Sequence, residues 1–142
     1  MIIDLKKLND SAIIPTRGTA DSAGSDLYSS EVVTIAPGAT VKVHTGISVK
    51  IPSGYFGGIY ARSGLATKQG LRPCNCVGVV DSDYIGEIIV ALHNDSDQVR
   101  EINEGDRIAQ LIIQSYEAAE FNEVDTLEET ERGSGGFGST GE

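Results

Sequence analysis

From Val41 to Ile51 the chain alternates without a break, with Val41, Val43, Thr45, Ile47, Val49 and Ile51 set against Lys42, His44, Gly46, Ser48 and Lys50. Successive side chains of a strand point to opposite faces, so this period of two predicts one long strand with a single buried face. Val32–Ile35 precedes it, and Ala36-Pro37-Gly38-Ala39 between them carries the residues of a hairpin turn. Pro52-Ser53-Gly54 ends it. Shorter strands are predicted at Tyr55–Tyr60, Cys76–Val80, Glu87–Asn94, Val99–Ile102 and Arg107–Gln114. Runs such as Asn94-Asp95-Ser96-Asp97 and Asn103-Glu104-Gly105-Asp106 supply the turns. Many short strands at close spacing indicate an all-β sandwich or barrel. Ser63–Gln69, closed by Gly70, reads instead as a short helix with Ser63 as its N-cap.

At 142 residues there is room for one domain with a real hydrophobic core. The longest apolar run, Ile88–Leu92, is strand-sized, against the ~20 residues of a membrane helix. Met1–Leu8 holds two lysines with no long apolar block behind them, so neither a membrane span nor a secretory signal is expected. The formal net charge is −10, which argues against a polynucleotide partner. That charge is uneven: residues 117–142 hold eight acids and only Arg132 as a base, leaving −3 for the first 116 residues. A small anionic ligand stays open if local cations and a metal ion receive it. Cys74 and Cys76, one residue apart in an expected extended segment, would point to opposite faces and pair poorly. They read as ordinary thiols in a reducing cytoplasm, the expected compartment. The chain divides at about residue 130. Residues 1–129 form the expected β domain, and 130–142, with five of the 17 glycines in 133–141, form an expected mobile tail.

Five polar, small-residue clusters interrupt the strands. Each has a structural and a chemical reading. Arg62-Ser63-Gly64 at a helix start is either a plain capped turn or a phosphate cradle of guanidinium, hydroxyl and backbone N–H groups. Asp81, at the end of the apolar run Val77–Val80, either holds a turn or acts as a base. Tyr84 is either core or a face for a sugar or base, and Asp26 either an Asx turn or an outer-shell ligand for a hard cation. Gln110 sits among apolar residues, where a buried amide needs partners. Asp106 and Arg107 most simply form a solvated turn, while Lys68 and Arg72 read as surface charges adding to a positive field. In the tail, Arg132 precedes Phe137-Gly138-Ser139-Thr140, which joins an aromatic ring to hydroxyl and N–H groups but lacks the Walker lysine.

In this order the five segments resemble the five motifs of the trimeric dUTPase family, the dUTP nucleotidohydrolases, from about Asp21 to Gly141. The most specific pieces are Gly78-Val-Val-Asp-Ser-Asp-Tyr-Ile-Gly-Glu87, Gly105-Asp-Arg-Ile-Ala-Gln-Leu111 and the Gly-Gly-Phe-Gly-Ser-Thr-Gly tail. Ser25 and His44 depart from the family pattern, which has a bulkier residue and commonly proline at those positions. The resemblance implies a jelly-roll-like β-barrel assembled as a homotrimer, with active sites shared between subunits and a flexible glycine-rich C-terminal tail. It implies Mg2+-dependent cleavage of dUTP between the α- and β-phosphates to dUMP and pyrophosphate, which keeps uracil out of DNA and supplies dUMP for thymidylate synthesis.

Carried over by position, Asp81 orients and deprotonates the attacking water, and Tyr84 lies under the deoxyribose where it excludes a 2′-hydroxyl. Asn75 and the backbone of Gly78, Val79, Val80 and Asp81 read uracil, with Ile89 lining the base pocket and the tight strand pair excluding a 5-methyl group. Arg62, Ser63, Gly64 and Gln110 hold the phosphates, and Asp26 binds magnesium through coordinated water. Arg132, Gly138, Ser139 and Thr140 close over the γ-phosphate, with Phe137 stacked on uracil. Two alternatives accompany this reading: a dCTP deaminase of the same fold, and a regulatory binding protein built on the dUTPase fold.

Overall fold

A computed structural model describes residues 1–136. Twelve antiparallel strands and one helix follow in order: β1 (Asp4–Lys7), β2 (Thr16–Arg17), β3 (Ser25–Tyr28), β4 (Val33–Ile35), β5 (Thr40–His44), β6 (Ile47–Lys50), β7 (Tyr55–Tyr60), α1 (Ser63–Gln69), β8 (Leu71–Pro73), β9 (Val77–Val80), β10 (Ile89–Asn94), β11 (Arg100–Ile102) and β12 (Arg107–Ser115). This is an all-β, jelly-roll-like fold. Hydrogen bonding does not run unbroken around it. It forms a five-stranded sheet, β2-β3-β12-β7-β9, a three-stranded sheet, β5-β10-β8, and the pairs β1-β6 and β11-β4. Side chains from the separate sheets meet in one core that includes Leu27, Ile35, Val43, Ile47, Ile51, Leu92 and Ile108. Each such side chain contributes roughly 1.5–3 kcal/mol by leaving water. No helix among the described residues is long and apolar enough to cross a membrane.

The predicted long strand is two strands. Its alternation persists, but Gly46 adopts φ +67 and turns the chain from a ladder with β10 to a ladder with β1. A side chain at Gly46 would be strained by that backbone and would also stand 2.7 Å from Asn9 Oδ1. The turn at Ala36–Ala39 forms, with the Ala39 N–H donating to the Ala36 carbonyl at 3.0 Å. It is no hairpin, because β4 pairs with β11 and β5 with β10. The helix spans the predicted residues and ends at a left-handed Gly70. Its N-cap is Arg62 in extended conformation, with no side-chain cap bond, so Ser63 is the first helical residue rather than the cap. Cys76 lies at φ +63 in a turn, not in an extended segment, and both cysteines are exposed.

Strand β12 runs between β3 and β7, and its register sets the site. Gln110 pairs with Asp26 on one side and with Tyr60 on the other. Regular structure ends at Ser115; Phe121 is 99% exposed and Leu127 86%, so this stretch adds little to the core.

Candidate active site

Two depressions gather the predicted site residues, and they share no lining side chain. The first, a groove of about 260 Å³, lies along β9 and the loop that follows it. Asn75, Gly78, Val79, Val80, Asp81, Tyr84 and Ile89 all line it. Strand β9 bonds only to β7 within its sheet, so its other edge offers unpaired backbone donors and acceptors. A peptide edge of that kind can read the donor and acceptor pattern of a flat heterocycle.

The lining of the second depression, about 470 Å³, includes Asp26, Arg62, Ser63, Gly64 and Gln110 and, among the residues absent from the predicted set, Gly24, Lys68 and Arg107. The cross-strand register places Asp26, Gln110 and Tyr60 side by side, and Arg62 follows two residues beyond Tyr60. The Arg62 Nε donates to Asp26 Oδ1 at 2.7 Å, while Arg107 Nη1 stands 3.4 Å from Asp26 Oδ2. The Asp26 side chain is only 15% exposed, so its charge is balanced by these two guanidinium groups. Arg62 spends only its Nε there among the described residues, which keeps the rest of its fork for an anion. Arg107 thus lines this cleft from the first position of β12, with its side chain half exposed, and does not stand in a turn. A register shift between Arg107 and Ala109 marks the irregularity in the strand where it sits. The Gln110 amide donates to the Ala61 carbonyl at 2.9 Å, and it fits only because Gly24 has no side chain: a Cβ there would stand 2.4 Å from Gln110 Oε1.

Asp26 is the one carboxylate of this cleft, and the described residues hold no cluster of three or more metal-ligating side chains. Such a donor set does not build a cage for a cation. It does suit magnesium, which keeps several waters and takes one or two carboxylates together with substrate phosphates.

Asp81 and Arg62 lie beyond opposite ends of the ladder between β7 and β9. Val80 pairs with Gly57, so Asp81 stands level with Phe56, while Arg62 lies past Tyr60 at the other end. The six steps from Phe56 to Arg62 span about 20 Å at ~3.3 Å each.

The loop after Asp81 shows residues that the spacing of motifs does not flag. Lys50 Nζ donates to the Ser82 carbonyl at 3.0 Å and Ser48 Oγ to the Ile85 carbonyl at 2.6 Å. Glu87 joins His44 and Gly46 to the groove. All these partners lie more than thirty residues apart in sequence, so only the departure at His44 hinted at them. Of the tail residues, Arg132 bonds within its own turn, its Nε donating to the Gly135 carbonyl at 2.9 Å, and lines neither depression. Phe137, Gly138, Ser139 and Thr140 lie outside the described residues.

The family model for dUTPase matches residues 10–141. The chain belongs to the dUTPase family. It is 48% identical over 141 residues to a deoxyuridine 5′-triphosphate nucleotidohydrolase of Nautilia profundicola, covering 99% of both chains. A protein of the same name from Corynebacterium diphtheriae is 46% identical over 141 residues, covering 99% of this chain and 93% of its own. Among solved structures, the dUTPase of Staphylococcus bacteriophage 80alpha with dUPNHPP superposes with a TM-score of 0.92 at 30% identity, over 99% of this chain and 98% of that one.

Proposed function

We propose that this dUTPase-family chain hydrolyses dUTP to dUMP and pyrophosphate, in sites completed between copies of itself. One observation carries the reading: a groove edged by peptide groups, with Asp81 and Glu87 as its charged lining residues, accompanies a cleft with two arginines around one aspartate. The first suits an uncharged base and sugar, the second a triphosphate.

In this mechanism Asn75 and the free edge of β9 hydrogen-bond uracil. A cytosine would leave some of those groups mispaired, which costs about 1–3 kcal/mol for each one buried. Tyr84 lies against the deoxyribose. Asp81 holds a water and takes its proton as the oxygen attacks the α-phosphorus, so the carboxylate must be ionised at the start. Arg62, the Ser63 hydroxyl, the Gly64 N–H and Gln110 hold the phosphate oxygens in line and offset charge on the leaving pyrophosphate. Asp26 would hold magnesium through coordinated water, and the ion would supply further charge neutralisation. Arg132, Phe137, Gly138, Ser139 and Thr140 cover the bound nucleotide and exclude bulk water. The separation of Asp81 from Arg62 along β7 is what calls for a second copy, and a homotrimer closes such a heterologous arrangement by symmetry.

Pyrophosphate release measured side by side with dUTP, dCTP, dTTP and UTP, with and without magnesium, tests this reading. Release from dUTP alone, dependent on magnesium, is expected. Ammonia from dCTP, or equal release from all four nucleotides, would overturn it.

A further inference from the structure

Behind the base groove, the loop from Asp81 to Ile88 is fastened to the junction between β5 and β6. The Ile88 N–H donates to the Ile47 carbonyl at 2.9 Å and the Thr45 hydroxyl to the Ile88 carbonyl at 2.5 Å. At the centre of the junction Glu87 is held at both carboxylate oxygens. Its Oε1 accepts from the Gly46 N–H at 2.8 Å, and its Oε2 meets His44 Nδ1 at 2.9 Å. The backbone carbonyl of the same Glu87 accepts from the Tyr84 hydroxyl at 2.8 Å. The tyrosine ring folds over Gly86, where a Cβ would fall 2.5 Å from that hydroxyl. Moving Glu87 therefore moves the acceptor that fixes Tyr84.

We propose that Glu87, clamped by His44 and Gly46, is a positioning residue that seats Tyr84 and so sets the discrimination between deoxyribose and ribose, with the charge on His44 tightening the clamp. The inference rests on the dUTP reading above, which puts the sugar against Tyr84. Three charged groups face His44. Glu87 is hydrogen-bonded to its ring, Glu31 accepts from its backbone N–H at 2.8 Å, and Lys42 lies two residues earlier on β5. Its neighbour across the ladder, Ile89, is apolar. The Glu87 hydrogen bond, together with the charges of Glu87 and Glu31, raises the His44 pKa above the usual histidine value, against partial desolvation and Lys42. The clamp is consequently an ion pair below that raised pKa and loses its charge as pH rises through it.

Single-turnover rates with enzyme in excess, for dUTP and for UTP, test this in the wild type and in His44→Asn, Glu87→Gln and Glu87→Ala from about pH 6 to pH 9. In the wild type the dUTP-to-UTP ratio of kcat/KM is expected to fall about two- to fivefold across the histidine transition, the reach of a partly exposed ion pair. That step is expected to vanish in His44→Asn and in Glu87→Gln, whose side-chain oxygen can still accept from Gly46. In Glu87→Ala the ratio is expected to be flat with pH and about tenfold below the wild-type value on the acid side of the transition, because the Gly46 N–H loses its acceptor as well. A role in stability alone lowers the folded fraction for both substrates equally and leaves the ratio unmoved. A wild type active on dUTP, with one pH-independent ratio in all four proteins, would overturn the inference alone. A wild type without dUTP activity would overturn the reading beneath it as well.

Discussion

The base groove takes its polar groups largely from the backbone of an edge strand, whereas the phosphate cleft takes them from side chains drawn together by register. In the groove, position is enforced from behind, by Lys50, Ser48 and Thr45 donating to the loop that carries Tyr84 and by Glu87 of that loop accepting from the Gly46 N–H. In the cleft, position is enforced from within, since Asp26 holds Arg62 and Arg107 in place and they in turn neutralise it. The two designs fit their ligands. A base is distinguished by the fixed geometry of donors and acceptors, which rigid backbone supplies well. A triphosphate is a diffuse charge that multidentate guanidinium groups can meet with several donors at once.

Asp81→Asn separates the two regions most sharply. It removes the base but no phosphate contact, so kcat is expected to fall about a thousandfold. Calorimetry should find binding of a non-hydrolysable dUTP analogue little changed. Near-normal turnover would remove Asp81 from its role. Deletion of residues 131–142 is expected to lower turnover about a hundredfold, the contribution of closure over the phosphates. The melting temperature should stay put, because residues 131–134, the start of that segment, are exposed. A full-rate truncated protein would leave the tail without a part in closure. Gly24→Ala tests the cleft alone. The new methyl displaces the Gln110 amide from Ala61, and KM is expected to rise about tenfold with selectivity among bases intact. A change in base selectivity instead would mean that the groove and cleft are coupled.

The sequence made the long strands legible because the period of two survives in β5, β6 and β10, and because β7 and β12 are rich in aromatic and branched residues and bounded by turn residues. It hid the break at Thr45-Gly46, since the apolar face continues through a left-handed glycine that turns the chain without disturbing the alternation. The strands β1, β2, β3 and β8 went unread because they are short, with polar residues in most positions or a proline at the end. Partner choice was equally hidden: the residues of Ala36–Ala39 encode a turn but not which strands flank it in a ladder. In the site, the motifs named Asp26, Arg62, Asp81 and Gln110 because their chemistry stands in local clusters. Arg107, Glu87 and His44 act through contacts 81 or 43 residues distant, which no local spacing can express.

Subunit mixing addresses the shared site directly. Asp81→Asn and Arg62→Ala are each expected to be nearly inactive. When the two are unfolded together and refolded as mixed assemblies, a site that takes Asp81 from one copy and Arg62 from another regains both intact residues in about a quarter of random combinations. Recovery of pyrophosphate release from dUTP toward that fraction of the wild-type rate is the predicted result. Mixed assemblies as inert as either parent would contradict the division of the site between copies.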